Sequence, residues 1–281
     1  MGIHLGHNNY GKSRVRLLRV VRDSEGNRIK EFTVAISFEG NFEAVHTLGD
    51  NSKVLPTDTM KNTVYALAQA EPPDSPELFA QRLIHHFLQD SPEVTRVGVD
   101  IHEDLWGRID CAGRPNPTAF VHGGELKRTA TISGTRLQTT FRAGLEGLVV
   151  MKTAQSAFVG FRRDRYTTLK EDRDRILATS IKADWLYDDS QIDFNGVWRG
   201  VRRSLVEKFA THDSLSLQHT LYAMGEAVLK SYPEIREIHL SLPNRHYNFV
   251  DLSCFGLENR SEVFLPIDEP HGLIEGIVTR G

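Results

Sequence analysis

Aromatic residues and arginines are concentrated in the segment 152–175. Phe158, Phe161 and Tyr166 stand among charged residues in a run that ends at Arg175. An aromatic ring offers a flat apolar platform, and a guanidinium group offers a planar fork of hydrogen-bond donors. Together they favour a flat, anionic heterocycle, held by stacking on one face and by paired hydrogen bonds along one edge.

Other interpretations of this segment remain open. The aromatic residues would also serve as core side chains beneath a long loop, and the arginines as a solvated surface. A basic strip for nucleic acid is a third interpretation, but interspersed acidic residues weaken the field. The segment neither alternates like a strand nor repeats at the helical period, so it predicts irregular structure.

A second candidate is LPTDTMKNTVYA, residues 55–66, at the predicted start of a helix. Unpaired backbone N–H groups at a helix N-terminus favour bound negative charge, and Thr57 and Asp58 occupy that position. The simpler explanation is that one of these two residues caps the helix. The sequence alone leaves both interpretations open.

Three further stretches carry polar residues next to predicted strands or helices. NYGK, residues 9–12, ends on a lysine at the start of a strand. Asn244 and His246 follow an apolar strand and point to the same side if the chain stays extended. Leu217 and Gln218 open a helix, where a glutamine amide can both donate to and accept from a cyclic amide. An exposed lysine, a turn asparagine, a surface histidine and an ordinary helix start are the simpler interpretations.

Metal and nucleotide motifs are missing from the sequence. It has no H-E-x-x-H, no C-x-x-C, no phosphate-binding loop and no Rossmann fingerprint. His85 and His86 are neighbours on a predicted helix, so they point apart and do not chelate one ion. Cys111 and Cys254 are expected to be reduced, partly buried thiols. We therefore expect no metal, nucleotide or flavin site.

Length and composition are typical of a globular protein. The 281 residues suffice for one large or two ordinary cores, and 40% are hydrophobic and 25% charged. The net charge of −3 argues against nucleic acid as a partner but allows one basic pocket for a small anion. No apolar run approaches the roughly 20 residues that span a bilayer, and no signal peptide is evident. We expect a cytoplasmic protein without membrane contact.

Periodicity predicts the same order of elements, β-β-α-α-β-β, in each half of the chain. The first half has predicted strands at 14–21, 30–38, 94–101 and 119–122, and helices from 57 to about 70 and from 76 onwards. The second half has predicted strands at 128–141, 145–153, 235–242 and 273–278, turning near Gly144, and helices at about 194–210 and 216–230. The predicted class is α+β, with antiparallel sheets and a helix pair on one face of each. The predicted units are 1–126 and 127–281, with an insertion at about 154–190, and they repeat in element order rather than in residue identity.

The stretches described above together resemble the motifs of the uricase (urate oxidase) family. The segment 152–175 follows the order of the family signature in Lys152-Thr153, Ser156, Phe158, Gly160-Phe161, Tyr166, Leu169 and Arg175. The T-D-x-x-K-N-T of residues 57–63, the N-terminal tyrosine-glycine-lysine and the asparagine-basic-histidine spacing near residue 245 resemble the family as well. Met151, Ala154 and Pro56 are mild departures.

The resemblance implies a fold, an assembly and an activity. Uricases have two tandem T-fold (tunnelling-fold) units per chain, and their subunits join sheets into a barrel within a homotetramer whose active sites lie between subunits. They convert urate, O2 and water to 5-hydroxyisourate and hydrogen peroxide in purine degradation, without metal or organic cofactor.

The resemblance also implies residue roles. The catalytic residues are Lys12, Thr57 and His246, and the substrate-binding residues are Thr57, Asp58, Phe158, Arg175, Leu217, Gln218 and Asn244. A hydroxyl group cannot act as a base unaided at pH 7, so a lysine amine must accept the proton of the threonine. Asp58 and Leu217 would contribute through their backbone.

Two alternatives to urate oxidase remain. One is another T-fold enzyme that acts on a pterin or purine with zinc held by cysteine and histidine, as cyclohydrolases do. The other is a purine-binding protein without catalysis. The sequence shows no zinc-ligand spacing, but its cysteines and histidines do not forbid zinc.

Overall fold

A computed structural model describes residues 2–188 and 191–281, and eight strands and five α-helices lie in this part of the chain. The strands are β1 Tyr10–Val21, β2 Arg28–Gly40, β3 Val94–Cys111, β4 Arg114–Gly134, β5 Thr139–Lys152, β6 Leu177–Tyr187, β7 Ile235–Phe249 and β8 Phe264–Thr279. The helices are α1 Glu43–Leu48, α2 Thr57–Ala70, α3 Pro76–Asp90, α4 Phe194–Thr211 and α5 Leu217–Ser231. Each strand is hydrogen bonded to its neighbour in chain order. The predicted α+β class is confirmed.

The chain divides into two compact units. Unit 1 comprises residues 1–144 and 186–195, and unit 2 comprises residues 145–185 and 196–281. The boundary predicted between residues 126 and 127 falls inside β4, and as a limit between T-fold units it stays a prediction. Residues 189 and 190, the last of the predicted insertion, lie outside the described residues.

Unit 1 buries one face of its strands under its helices. Alternate residues of β2 and β3, namely Phe32, Val34, Ile36, Phe38, Val97, Val99 and Ile101, are at most 3% exposed. Helix α3 adds Phe79 and Phe87, whose rings lie 6.0 Å from Phe32 and 5.0 Å from Phe38. Burying each such side chain contributes about 1.5–3 kcal/mol, so period-2 strands facing a period-3.6 helix define this core.

Unit 2 uses the same construction. Its buried strand residues are Leu177, Ile181, Ala183 and Trp185 in β6 and Ile235, Ile238, Leu240 and Leu242 in β7. Helix α5 contributes Leu217, Leu221, Met224 and Val228. Ser75 and Ser216 are the N-caps of α3 and α5, and each hydroxyl accepts the N–H of the residue three positions later.

Several predicted elements of the second half are wrong. Residues 128–141 are not one strand, because β4 ends at Gly134 and the chain turns at Thr135–Gln138 rather than near Gly144. This turn reads TRLQ and contains no glycine or proline that would mark it. Residues 177–187 are not part of an insertion but form β6, whose alternate residues are buried. With β5 and β6 as its hairpin, the second half keeps the predicted β-β-α-α-β-β order.

The predicted side-chain cap of α2 is also wrong. Pro56 is the N-cap residue and makes no side-chain cap bond, and Thr57 is the first helical residue. The carboxylate of Asp58 instead accepts hydrogen bonds from Lys61 and Asn62 within the helix. The predicted span from 57 to about 70 agrees with the observed helix.

The two units also repeat at individual residues, which the sequence did not reveal. Arg136, just after β4, donates to the carbonyl oxygens of Leu88, Ser91 and Val94. Arg280, just after β8, donates to the carbonyl oxygens of Leu229, Tyr232 and Ile235. Each acceptor of the second set lies 141 residues after its counterpart in the first set; Leu229, for example, corresponds to Leu88. Arg280 lies 144 residues after Arg136. The same anchor therefore ends the helix pair of each unit.

Candidate active site

The predicted site residues fall into two groups, one in each unit. Unit 1 holds Lys12, Thr57 and Asp58. Unit 2 holds Phe158, Arg175, Leu217, Gln218, Asn244 and His246. Each group is positioned by contacts inside its own unit.

Lys12 lies next to a β-bulge. Ser13 and Arg14 oppose Ala35 alone, so the register of β1 on β2 shifts just after Lys12. Arg14 has a φ of 57°, in the left-handed region that few residues other than glycine adopt. Bulges redirect side chains and are frequent near active sites. This bulge therefore sets the direction in which the lysine leaves the strand.

Tyr10 fixes the start of α2 against β1. Its hydroxyl accepts a hydrogen bond of 3.0 Å from the N–H of Leu55, two residues before Thr57. Burial raises the pKa of Tyr10 above its ordinary value, so the hydroxyl stays protonated. The contact holds Thr57 and Asp58 near the strand that carries Lys12.

The exposed carboxylate of Asp58 is hydrogen bonded to side chains of its own helix. Its hydrogen bond with Lys61 is the largest influence that lowers its pKa, and Lys12 is a weaker positive charge acting in the same direction. Asn62 donates to the second carboxylate oxygen at 3.2 Å. The backbone of Asp58, in the first turn of α2, is the part of the residue left to meet a ligand.

The irregular segment of unit 2 is attached to the turn that precedes α5. Ala157 donates its N–H to the carbonyl oxygen of Ser214 at 2.7 Å, and Ser214 donates to that of Gln155 at 3.0 Å. Farther along, Arg175 donates its N–H to the carbonyl oxygen of Ser156 at 2.7 Å. The prediction of irregular structure is confirmed, and these backbone bonds give the irregular segment one conformation.

Phe158 carries the guanidinium of Arg175 over its ring. The Cζ atom lies 5.2 Å from the ring centroid. Phe158 exchanges two backbone hydrogen bonds with Asp172, of 2.7 and 3.2 Å, which fix the ring. Burial lowers the pKa of Arg175 and Asp172 opposes that shift, but an arginine remains charged. Its Nε is buried and has no hydrogen-bond partner among the described residues, so the fork has donor capacity left for a ligand.

The other arginine–aromatic pairs of the segment are on the surface. Arg163 lies over Phe161 at 5.3 Å, and Arg165 lies over Tyr166 at 4.6 Å. The Tyr166 side chain is 73% exposed. The interpretation as a solvated surface therefore applies to Arg163, Arg165 and Tyr166, which are exposed. Phe161 is half-buried and stacks on the half-buried Phe158, with ring centroids 5.0 Å apart.

A cavity of about 260 Å³ opens next to the Phe158 ring, and Asn244 and His246 of β7 line it. The pairing of β7 with β8 shifts at this point, because Asn244 pairs with Gly272 and His246 with Ile267. The volume is close to the lower end, about 300 Å³, of pockets that hold small ligands. A larger cavity of about 570 Å³ in unit 1 contains none of the predicted site residues.

The start of α5 supplies two more groups. Leu217 is 2% exposed, so its side chain belongs to the core and its N–H faces the open end of the helix. Gln218 is exposed and therefore free to present its amide to a ligand. The positive end of the helix dipole favours an anion at this place.

Lys152 has a positioning contact that the sequence analysis missed. Its ammonium donates to the carbonyl oxygen of His212, in the turn that leads to α5. Burial lowers the pKa of Lys152, and Asp213 and Asp174 oppose that shift. The sequence marked Lys152 only as part of the signature, because a lysine at a strand end gives no sign of a carbonyl partner 60 residues away.

No group of three or more His, Cys, Asp or Glu side chains in residues 2–188 and 191–281 is placed to hold a metal ion. Cys111 and Cys254 are free and exposed, so the expectation of partly buried thiols is wrong. Both lie next to turns, where no packed layer covers them. None of the described helices has both the length and the apolar character needed to cross a membrane.

The fold is α+β, with four strands and a helical segment between the strand pairs in each half of the chain, and a cavity lies beside the Phe158–Arg175 pair of unit 2. The model of the uricase family matches residues 8–133 and 141–275. A uricase from Arthrobacter globiformis is 44% identical over 276 residues, covering 98% of this chain and 90% of that protein. A uricase from Dictyostelium discoideum is 39% identical over 276 residues, covering 97% and 96%. The crystal structure of uricase from Arthrobacter globiformis matches with a TM-score of 0.95 at 43% identity, covering 100% of this chain and 96% of that one. The chain belongs to the uricase family.

We expect Lys152→Met to loosen the attachment of the irregular segment without unfolding unit 2. The methionine keeps the stem of the side chain but removes the charge-assisted bond to the turn, which contributes about 1.5–3 kcal/mol. Amide hydrogen exchange at Ala157 and Phe158 should accelerate by about tenfold or more. Lys182→Met, at an exposed position of β6, is the matched control. Unchanged exchange in the Lys152 variant would remove its positioning role.

Proposed function

We propose that this chain is a urate oxidase, which oxidises urate with O2 and water to 5-hydroxyisourate and hydrogen peroxide in purine degradation. The observation that carries the proposal is the Arg175 guanidinium held over the Phe158 ring, 5.2 Å from its centroid, at a cavity lined by Asn244 and His246. Membership of the uricase family supports the same activity. No metal or organic cofactor is part of the proposal.

The geometry of unit 2 supports a binding mode for urate. The purine stacks on Phe158, and Arg175 donates in parallel to one carbonyl-and-nitrogen edge. Gln218 reads the opposite edge, where an amide both accepts and donates, and the N–H of Leu217 adds a donor. Holding both edges fixes the ring for reaction and is positional catalysis.

The chemistry proposed for the other residues is proton transfer and oxygen placement. Lys12 and Thr57 take a proton from urate, the backbone of Asp58 helps to seat it, and His246 completes the relay. The dianion gives two electrons to O2, which Asn244 holds above the ring. Water then adds its oxygen at C5, and the reduced O2 leaves as hydrogen peroxide with two protons. Lys12 and Thr57 position that water.

We propose a cytoplasmic homotetramer whose active sites lie between subunits. The supporting observation is that the proposed proton-transfer pair belongs to unit 1 and the proposed stacking and edge-binding residues belong to unit 2. A site between subunits would take the unit 1 group from one subunit and the unit 2 group from another.

An assay of urate consumption in the presence of a chelator tests the activity. We expect loss of urate absorbance, with one hydrogen peroxide released per urate, at a rate that excess EDTA leaves unchanged. Loss of turnover in EDTA with recovery on adding zinc would instead favour the zinc-dependent T-fold alternative. Binding of urate without peroxide would favour the purine-binding alternative.

Steady-state constants of single variants test the assigned roles. Lys12→Ala and Thr57→Ala should lower kcat by about 10²–10⁴, because they remove acid–base function in the transition state. Phe158→Ala and Arg175→Ala should raise KM as well, by about tenfold or more, because they remove contacts already made in the bound state. Lys230→Ala is the control, because the Lys230 side chain is 70% exposed. A rise in KM alone in Lys12→Ala would contradict its role.

Mixed oligomers test the shared site. Chains with Lys12→Ala and chains with Arg175→Ala are each expected to be inactive. Co-expressed in equal amounts, they should regain about one quarter of wild-type activity, because random pairing leaves that share of sites with both residues intact. A site built within one chain would give no recovery in the mixture.

A further inference from the structure

Unit 1 contains a counterpart of the α5 part of the candidate site. The offset of 141 pairs Ser75 with Ser216, and both are helix N-caps that accept the N–H three residues later. The same offset pairs Glu77 with Gln218, so both are the second residue of their helix. Where unit 2 presents an amide, unit 1 presents a carboxylate.

The counterpart extends to the strands. The offset of 141 pairs Glu103 of β3 with Asn244 of β7. The strand partner of Glu103 is Arg128, and that of Asn244 is Gly272. The residue numbers of these two partners differ by 144, as those of Arg136 and Arg280 do. Unit 1 therefore has an arginine where unit 2 has a residue without a side chain.

An independent contact confirms this alignment of the units. A Cβ atom on Gly134 would meet Cγ2 of Ile84 at 2.5 Å. By the offset of 144 Gly134 corresponds to Val278, and by the offset of 141 Ile84 corresponds to Gly225. A Cβ atom on Gly225 would meet Cγ2 of Val278 at 2.5 Å. The same close approach of helix and strand occurs in both units, with the large and small residues exchanged.

The arginine of unit 1 fills the space between the two carboxylates. Its NH2 donates to Oε2 of Glu77 at 2.6 Å and to the carbonyl oxygen of Phe194 at 3.3 Å, and its NH1 donates to Oδ1 of Asn195 at 2.6 Å. Oε2 of Glu103 is 4.0 Å from NH1. Arg128 is 3% exposed, Glu77 0% and Glu103 4%. We call Glu77, Glu103, Arg128 and Asn195 the Arg128 cluster.

The two carboxylates keep acceptor capacity. Lys30 donates to Oε1 of Glu103. Oε1 of Glu77 and Oε2 of Glu103 are buried and have no hydrogen-bond partner among the described residues. Burial raises the pKa of Glu77, and Arg128 opposes that shift. Buried acceptors around a planar cation are the features of a cation-binding site.

We propose that the Arg128 cluster is a second ligand site, which the guanidinium of Arg128 occupies in this chain. When Arg128 is replaced by glycine, the site binds a planar guanidinium-type cation from solution. The charge follows from the residues, because Glu77 and Glu103 replace the neutral Gln218 and Asn244. The comparison with a ligand site in unit 2 rests on the proposed function. The contacts within the Arg128 cluster do not. In that unit, Gly272 stands at the position of Arg128 and supplies no side chain.

The first experiment restores the occupant from solution. Arg128→Gly should lower the thermal midpoint, and methylguanidinium at ten times its Kd should raise it by about 2 °C. Methylammonium at the same concentration carries equal charge without the planar fork and should have no such effect. The wild type and Arg128→Gly/Glu77→Gln should not respond specifically to methylguanidinium. An equal response of all three proteins would overturn the proposal.

The second experiment introduces an arginine at the corresponding position of unit 2. It tests the proposal independently if Arg128→Gly does not fold. A Cβ on Gly272 would lie 3.8 Å from Ile274 and 4.0 Å from Asn244, so a side chain fits there. Gly272→Arg should weaken anaerobic urate binding at least 100-fold, and adding Gln218→Glu should raise the thermal midpoint above that of Gly272→Arg alone. Leu273→Arg, on the opposite face of β8, is the control and should bind urate normally. Normal urate binding by Gly272→Arg would overturn the inference, whereas a wild type that binds no urate would instead contradict the proposed function.

Discussion

The proposed ligand platform, formed by the Phe158 ring, depends on the backbone hydrogen bonds that join residues 155–157 to Ser214. A segment without helix or strand has no internal ladder, so its buried N–H and C=O groups must find partners elsewhere. Ser214 supplies one donor and one acceptor, and its own hydroxyl is held by Thr220 inside α5 at 2.7 Å. The Phe158 ring and the first turn of α5 are thereby fixed to the same point. A stacking surface and an edge-reading amide can act on one ligand only if such a common anchor sets their distance.

The half-buried charge of Arg175 is the second constraint. Removing a guanidinium from water is costly, and the chain offsets part of that cost with the Phe158 ring and with Asp172. The compensation is incomplete, since Nε has no hydrogen-bond partner among the described residues. An anion with an acceptor edge would complete it. The incomplete compensation of the arginine in the free protein is thus the physical source of the affinity for an anion that we propose for this site.

Local signals predicted part of this structure, and long-range contacts supplied the rest. Helix α2 was predictable because its apolar period runs until the Pro72-Pro73 stop, and α3 because Ser75-Pro76 is a strong helix start. The turn at Thr135–Gln138 was not, because TRLQ carries no turn residue and the alternation continues on both sides. Phe158, Arg175, Asn244 and His246 were recognisable as a motif, but their shared cavity exists only after β7 and the irregular segment meet. Nothing local in the sequence around Lys152 or Arg128 indicates a partner 50 or more residues away.

The two units show how one architecture holds opposite charges. In both units the second residue of a capped helix and one strand residue correspond by the same offset of 141. In unit 1 the two positions are glutamates, which cannot stay buried as anions without cations. Arg128 of the neighbouring strand pairs with Glu77, and Lys30 pairs with Glu103. In unit 2 they are a glutamine and an asparagine, which need no counter-ion, so glycine can leave the space empty. The change from carboxylate to amide therefore removes the need for a counter-ion at these two positions, and the affinity for an anion that we propose for unit 2 rests on the Arg175 guanidinium. An amide pair with an arginine would leave that cation without an anion at these positions, and a carboxylate pair with glycine would leave Glu77 without its cation.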